Sequence, residues 1–94
     1  MKVIYKDKII AKSNKTIVVE GNHYFPPESL KKEYFLETKF HSTCPWKGFA
    51  NYYSINVDGS QVDNAAWFYK EPKDAAKEIK DHVAFYGHLV EITE

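Results

Sequence analysis

Apolar and polar residues alternate along most of this chain in short runs, and turn-forming pairs separate the runs. Val3 and Tyr5 alternate with charged neighbours, Asp7-Lys8 reads as a tight turn, and Ile9-Ile10-Ala11 follows. Asn14-Lys15 leads into Thr16-Ile17-Val18-Val19-Glu20, Gly21-Asn22 turns the chain again, and His23-Tyr24-Phe25 is the next short run. β-Branched and aromatic runs of this length between polar pairs predict antiparallel hairpins. Pro26-Pro27 ends the last of them, because proline cannot donate to a ladder. Pro27 with Glu28 also suits a single helical turn over residues 28–32. Residues 33–39 read as extended.

Asp58-Gly59 is the clearest turn signal in the chain, suited to a two-residue type I′ hairpin. With that pair as the loop, Ile55 lies opposite Val62, Tyr53 opposite Asn64, and Tyr52 opposite Ala65. Alternation then gives a core face of Val57, Ile55, Tyr53, Val62, Ala66 and Phe68. The other face is polar near the turn, through Ser54, Asn56, Gln61 and Asp63. At its open end it becomes aromatic, through Tyr52 and Trp67, beside Trp46 and Lys47. Glu71-Pro72-Lys73-Asp74 breaks the strand, and Ala75, Ile79 and Val83 recur every four residues, which predicts a helix that Gly87 ends. Residues 89–93 close as a last strand. The expected fold is mainly β, at the α+β boundary. It is one small domain over residues 1–94, a bent antiparallel sheet or open barrel with one helix near the C-terminus.

Composition supports a single core and removes several function classes. Of the 94 residues, 44% are hydrophobic and 16% aromatic, and large rings fill a small interior efficiently. Thirteen basic and thirteen acidic residues cancel, so no net field draws in a polyanion, and nucleic acid is disfavoured as a partner. The single cysteine, Cys44, can form no internal disulfide and leaves no thiolate-rich zinc site. No apolar segment near Met1 resembles a signal, and no run is long enough to cross a bilayer. A cytoplasmic protein with no membrane partner is the expectation. His23, His41, His82 and His88 lack ligand spacing, so no metal is expected, and no glycine loop or serine triad points to a cofactor or to hydrolysis.

The candidate chemistry gathers in residues 41–53. A thiolate at neutral pH needs a base or cation beside it, and His41 and Lys47 each lie three residues from Cys44. Positions three apart on a strand face opposite ways, so Cys44 and His41 would act together only if Pro45 bends the chain there; otherwise Cys44 is a small buried hydrophobe. Lys47, framed by Pro45 and Gly48, suits a phosphate or carboxylate, and Gly48 would let backbone approach closely. Trp46, Tyr52, Trp67 and Tyr69 would wall a cleft for a ring-bearing ligand, or else form part of the core. The leading expectation is therefore a domain that binds a small anionic, nucleotide-like ligand in an aromatic cleft. The alternatives are an enzyme using Cys44 with His41, and an interaction module whose exposed rings meet another protein or a second copy.

Several strings in this order resemble one family: His23-Tyr24-Phe25-Pro26, residues 42–48 (Ser-Thr-Cys-Pro-Trp-Lys-Gly), Ala50-Asn51-Tyr52, Ala65-Ala66-Trp67, Tyr69 with Pro72, and Val83-Ala84-Phe85-Tyr86. Together they are similar to the bacterial family known as domain of unknown function 427, over essentially the whole chain. The resemblance implies a small β-rich single domain and no established activity. A nucleotidyltransferase-like label is sometimes attached to the family. That chemistry wants paired metal-binding acids, whereas Asp58-Gly59-Ser60 with Asp63 is more simply a turn. If the family's strings mark a site, its residues here are Thr43, Cys44, Trp46, Lys47, Gly48, Tyr52, Trp67 and Tyr69.

Overall fold

The computed structural model describes residues 1–94 as nine strands and three short 3-10 turns. The strands are β1 (Lys2–Tyr5), β2 (Lys8–Lys12), β3 (Ile17–Val19), β4 (Asn22–Tyr24), β5 (Phe35–Cys44), β6 (Gly48–Val57), β7 (Ser60–Phe68), β8 (Val83–Phe85) and β9 (Glu91–Thr93). They pair antiparallel in the orders β2-β1-β9, β3-β4 and β5-β6-β7-β8. Phe25 and Val83 exchange two backbone hydrogen bonds of 2.8 Å, which fastens the end of β4 to β8. The strands from β5 to β3 thus form one strongly bent run, and no ladder closes it into a barrel. No helix is long and apolar enough to cross a membrane.

Three two-residue hairpins turn on consecutive residues with left-handed backbone: Lys6-Asp7 (φ 50° and 64°), Glu20-Gly21 (53° and 79°) and Asp58-Gly59 (51° and 87°). Two left-handed residues match the right-handed twist of the strands they join. The Asp58-Gly59 turn falls where its sequence places it. The other two fall one residue earlier than the turns expected at Asp7-Lys8 and Gly21-Asn22.

Each face of the central sheet carries its own core. Tyr53, Ile55, Val57, Ala66 and Phe68 face the β2-β1-β9 sheet, where Val3, Ile10 and Ala11, with Val90 just before β9, complete the packing. Phe85 lies edge-on to Phe25 at 5.6 Å and to Phe35 at 6.0 Å, geometry that adds to area burial in a small interior. On the opposite face Tyr24, Ala50, Tyr52, Tyr69, Ala76, Ile79 and Ala84 form a second cluster.

The β6–β7 register departs from the regular one beyond Ile55, which pairs with Val62 as expected. Tyr53 pairs with Ala66, not Asn64, and Tyr52 with Trp67, not Ala65. Four steps along β7 therefore span two along β6, and Asn64 takes a left-handed conformation (φ 50°) within that bulge. β5 does the same on the other flank, with Glu37 opposite Tyr53 and His41 opposite Asn51. Thr38 Oγ1 donates to Asn64 Oδ1 at 2.7 Å, and the Asn64 amide donates to Ser54 Oγ at 3.1 Å, so the two bulges brace each other across β6.

The helix expected from Ala75, Ile79 and Val83 is absent. Residues Asp74–Ile79 form a 3-10 turn broken at Ala76 (φ −125°, ψ 20°), and Lys80 is already extended (φ −51°, ψ 126°). Tyr69 bridges Lys80, Asp81 turns left-handed (φ 60°), and Val83 joins a strand. The four-residue spacing arises where a short turn meets a buried strand, and Ala75 itself is exposed.

Candidate functional site

The β5–β6 turn, Pro45-Trp46-Lys47, delivers the central residues, and the chain after β7 holds it in place. The Lys73 amide donates to the Lys47 carbonyl at 2.9 Å, and Lys73 Nζ donates to the Pro45 carbonyl at 2.6 Å. Gly48 sits beneath that crossing with φ +120°; a Cβ there would lie 3.5 Å from both the Glu71 carbonyl oxygen and the Lys73 nitrogen. The close backbone approach expected at Gly48 is thus to residues 71–73 of the chain itself.

Lys47 is 7% exposed. Its Nζ donates to Glu20 Oε1, and the Trp46 indole Nε1 donates to Glu20 Oε2 at 3.3 Å. Two donors from adjacent residues therefore converge on the two oxygens of one carboxylate. Lys47 Nζ also lies 5.3 Å from the Trp46 ring centroid, within cation–π range. Desolvation pulls the Lys47 amine downward, but the hydrogen bond to Glu20 and the nearby Tyr24 and Cys44 outweigh it and hold the amine above the ordinary lysine value. The Lys47 hydrogen bond, then that of Trp46, holds the Glu20 carboxyl below its ordinary value. Glu20 lies in the β3–β4 turn, so this contact ties one end of the bent strand run to the other.

Beyond the ion pair lies a layer of rings and hydroxyls. Trp67 Nε1 donates to Tyr24 Oη at 3.1 Å, with the rings edge-on at 6.3 Å. Tyr52 Oη is 2.8 Å from Ser42 Oγ and 3.4 Å from Tyr86 Oη, and Trp67 packs on Tyr86 at 4.6 Å. Burial raises the Tyr69 phenol far above its ordinary value, and Tyr24 and Cys44 nearby add to this. Burial, then the Tyr52 hydrogen bond, pushes the Tyr86 phenol up to about 12.

Of the residues singled out in the sequence, Cys44, Lys47, Trp46, Gly48, Tyr52, Trp67 and Tyr69 belong to this connected region. Thr43 and His41 are exposed members of β5 outside it. Thr43 pairs with Phe49, and His41 stacks on Phe49 at 4.5 Å with Nδ1 3.4 Å from the Ala50 carbonyl. No bend brings His41 back to Cys44, because β5 continues through both residues and Pro45 turns the chain only after the cysteine. None of the three surface concavities is lined by Lys47, Trp46 or Cys44. No three His, Cys, Asp or Glu side chains gather as a set that could hold a metal ion.

Sequence reasoning missed Glu20, Tyr24 and Tyr86 as parts of this region. Glu20 carries a usable signal, being the only acid between Thr16 and Pro27 and standing directly before a turn glycine. Tyr24 and Tyr86 sit within strings that carry the family resemblance but read as ordinary strand residues. No curated protein matches the chain. The profile of the family described as Domain of unknown function (DUF427) spans residues 1–94, and the chain belongs to that family.

Proposed function

We propose that this protein is a binding domain for a small anion, recognised at Lys47 and Trp46. The observation that carries the reading is the convergence of Lys47 Nζ and Trp46 Nε1 on the Glu20 carboxylate. A cation and an indole N–H aimed at one pair of oxygens is the arrangement a carboxylate or phosphate requires. Glu20 stands in for that group from an exposed turn and can swing outward, since half of its side chain is already open to solvent (51%). Trp46, 39% exposed, then offers a ring face to the remainder of the ligand. Ring-bearing anions such as nucleotides are the favoured class.

Fluorescence titration of the two tryptophans with inorganic phosphate, nucleoside monophosphates and small aromatic acids tests this. Glu20→Gln removes the internal competitor, and apparent affinity rises by the inverse of the fraction of sites open in the wild type, about tenfold if Glu20 occupies nine-tenths of them. Lys47→Ala abolishes the response. Equal affinities in the wild type, Glu20→Gln and Lys47→Ala would sink the reading.

A further inference from the structure

The opposite face of the sheet carries a concavity that neither the sequence reading nor the family description uses. An open groove of about 600 Å³ runs over Tyr53 and Phe68, whose rings stack at 4.5 Å. From it a smaller pit of about 80 Å³ descends between Leu30, Phe35 and Val83. Pro27, Lys32 and Tyr53 line both spaces, so the pit opens into the groove. A dry cavity of about 150 Å³ holds benzene, so the pit suits something smaller, a short branched aliphatic group. Burial, then the Glu37 carboxylate, raises the Tyr53 phenol above its ordinary value, as befits a ring set between this space and the core.

The groove is balanced in charge but not fully paired. Lys70 Nζ meets Glu37 at 2.7 Å and Lys80 Nζ meets Asp81 at 3.2 Å. Two charged lining residues lack an ionic or hydrogen-bonding side-chain partner: Lys32, at the border with the pit, and Glu71. A ligand complementary to this surface carries a carboxylate, an ammonium and a short apolar branch.

We infer that this groove and pit form a second binding site, for a small zwitterion of the branched-chain α-amino acid class. The aliphatic branch fills the pit, the carboxylate pairs with Lys32 beside its mouth, and the ammonium turns toward Glu71. This site shares no side chain with the Lys47 region, which Glu71 meets only through its backbone carbonyl, and the two readings stand or fall separately.

Titration of L-valine and L-leucine into the ¹⁵N- and methyl-¹³C-labelled protein tests the inference. Saturable shifts confined to Val83, Leu30, Phe35, Tyr53, Lys32 and Glu71 are expected, with millimolar dissociation constants. Lys32→Met, at an exposed position, leaves the fold intact and weakens binding by about tenfold, the loss of one exposed charge-assisted contact. Leu30→Phe fills the pit and removes the preference for branched side chains over glycine. Isovalerate, which lacks the ammonium, binds more weakly than leucine to the wild type and equally to Glu71→Gln. Absence of saturable shifts overturns the site, as does binding indifferent to Lys32→Met. Isovalerate matching leucine on the wild type overturns the zwitterion assignment.

Discussion

Gly48→Ala tests how the candidate region is held. The added methyl would meet the Glu71 carbonyl oxygen and the Lys73 nitrogen at 3.5 Å and the Pro72 Cα at 3.7 Å, all ordinary van der Waals distances. Overlap therefore contributes little, and the penalty comes from the backbone, since φ +120° is a conformation that side-chain-bearing residues avoid. Such strain costs about 1–3 kcal/mol. Relief by rotation is blocked, because Gly48 pairs with Cys44 and the Lys47 carbonyl before it accepts from the Lys73 amide at 2.9 Å. In a domain of this size 1 kcal/mol moves the midpoint by roughly 4–8 °C, so a mid-range penalty of about 2 kcal/mol lowers Tm by about 8–16 °C. Thermal melting by circular dichroism reads this directly, with Gly87→Ala as the control. Gly87 has open space where its Cβ would be and no left-handed backbone, so alanine there should be neutral or stabilising by up to about 1 kcal/mol. A Gly48→Ala protein melting within about 2 °C of wild type, or no lower than Gly87→Ala, would refute the strain argument.

Two further expectations follow from the ring layer. Tyr24→Phe removes the acceptor of the Trp67 indole and should cost about 1–2 kcal/mol in urea unfolding; a cycle with Trp67→Phe should give a non-zero coupling, and strict additivity would mean that the hydrogen bond contributes nothing. Ultraviolet titration should find Tyr86 ionising near 12 and Tyr69 likewise displaced upward, both above the ordinary phenol value of about 10. Because folding raises these values, the associated stability is intact below about 10 and is lost as pH rises toward and through 12. A single tyrosine transition at the ordinary value would contradict the packing described for both rings.

The sequence made the Asp58-Gly59 hairpin and the aromatic patch at its open end legible, because alternation and turn chemistry are local. It did not reveal the bulges beside β6. Two extra residues leave the alternation of Val62, Ala66 and Phe68 intact, so no periodicity betrays the slip of Tyr53 from Asn64 to Ala66. The missing helix has a related cause: Ile79 and Val83 are buried by two different elements, a turn and a strand, which a fixed spacing cannot distinguish. At the site, the Pro-Trp-Lys-Gly string marked the turn correctly, but Lys47's partner was out of reach. Glu20 lies 27 residues away, and only the curl of the strand run joins them.

The paired bulges beside β6 bear on how this chain tolerates changes of length. Deleting both surplus residues from β7 would straighten the sheet while every ring kept its side. Deleting Asn64 alone would leave a one-residue bulge, which keeps Val62 and Ala66 on the core side but loses the Thr38 and Ser54 hydrogen bonds that brace it. Changes of length in this part of β7 should therefore be absorbed where the strand already bulges, at the expense of the cross-strand bracing and not of the side each ring faces.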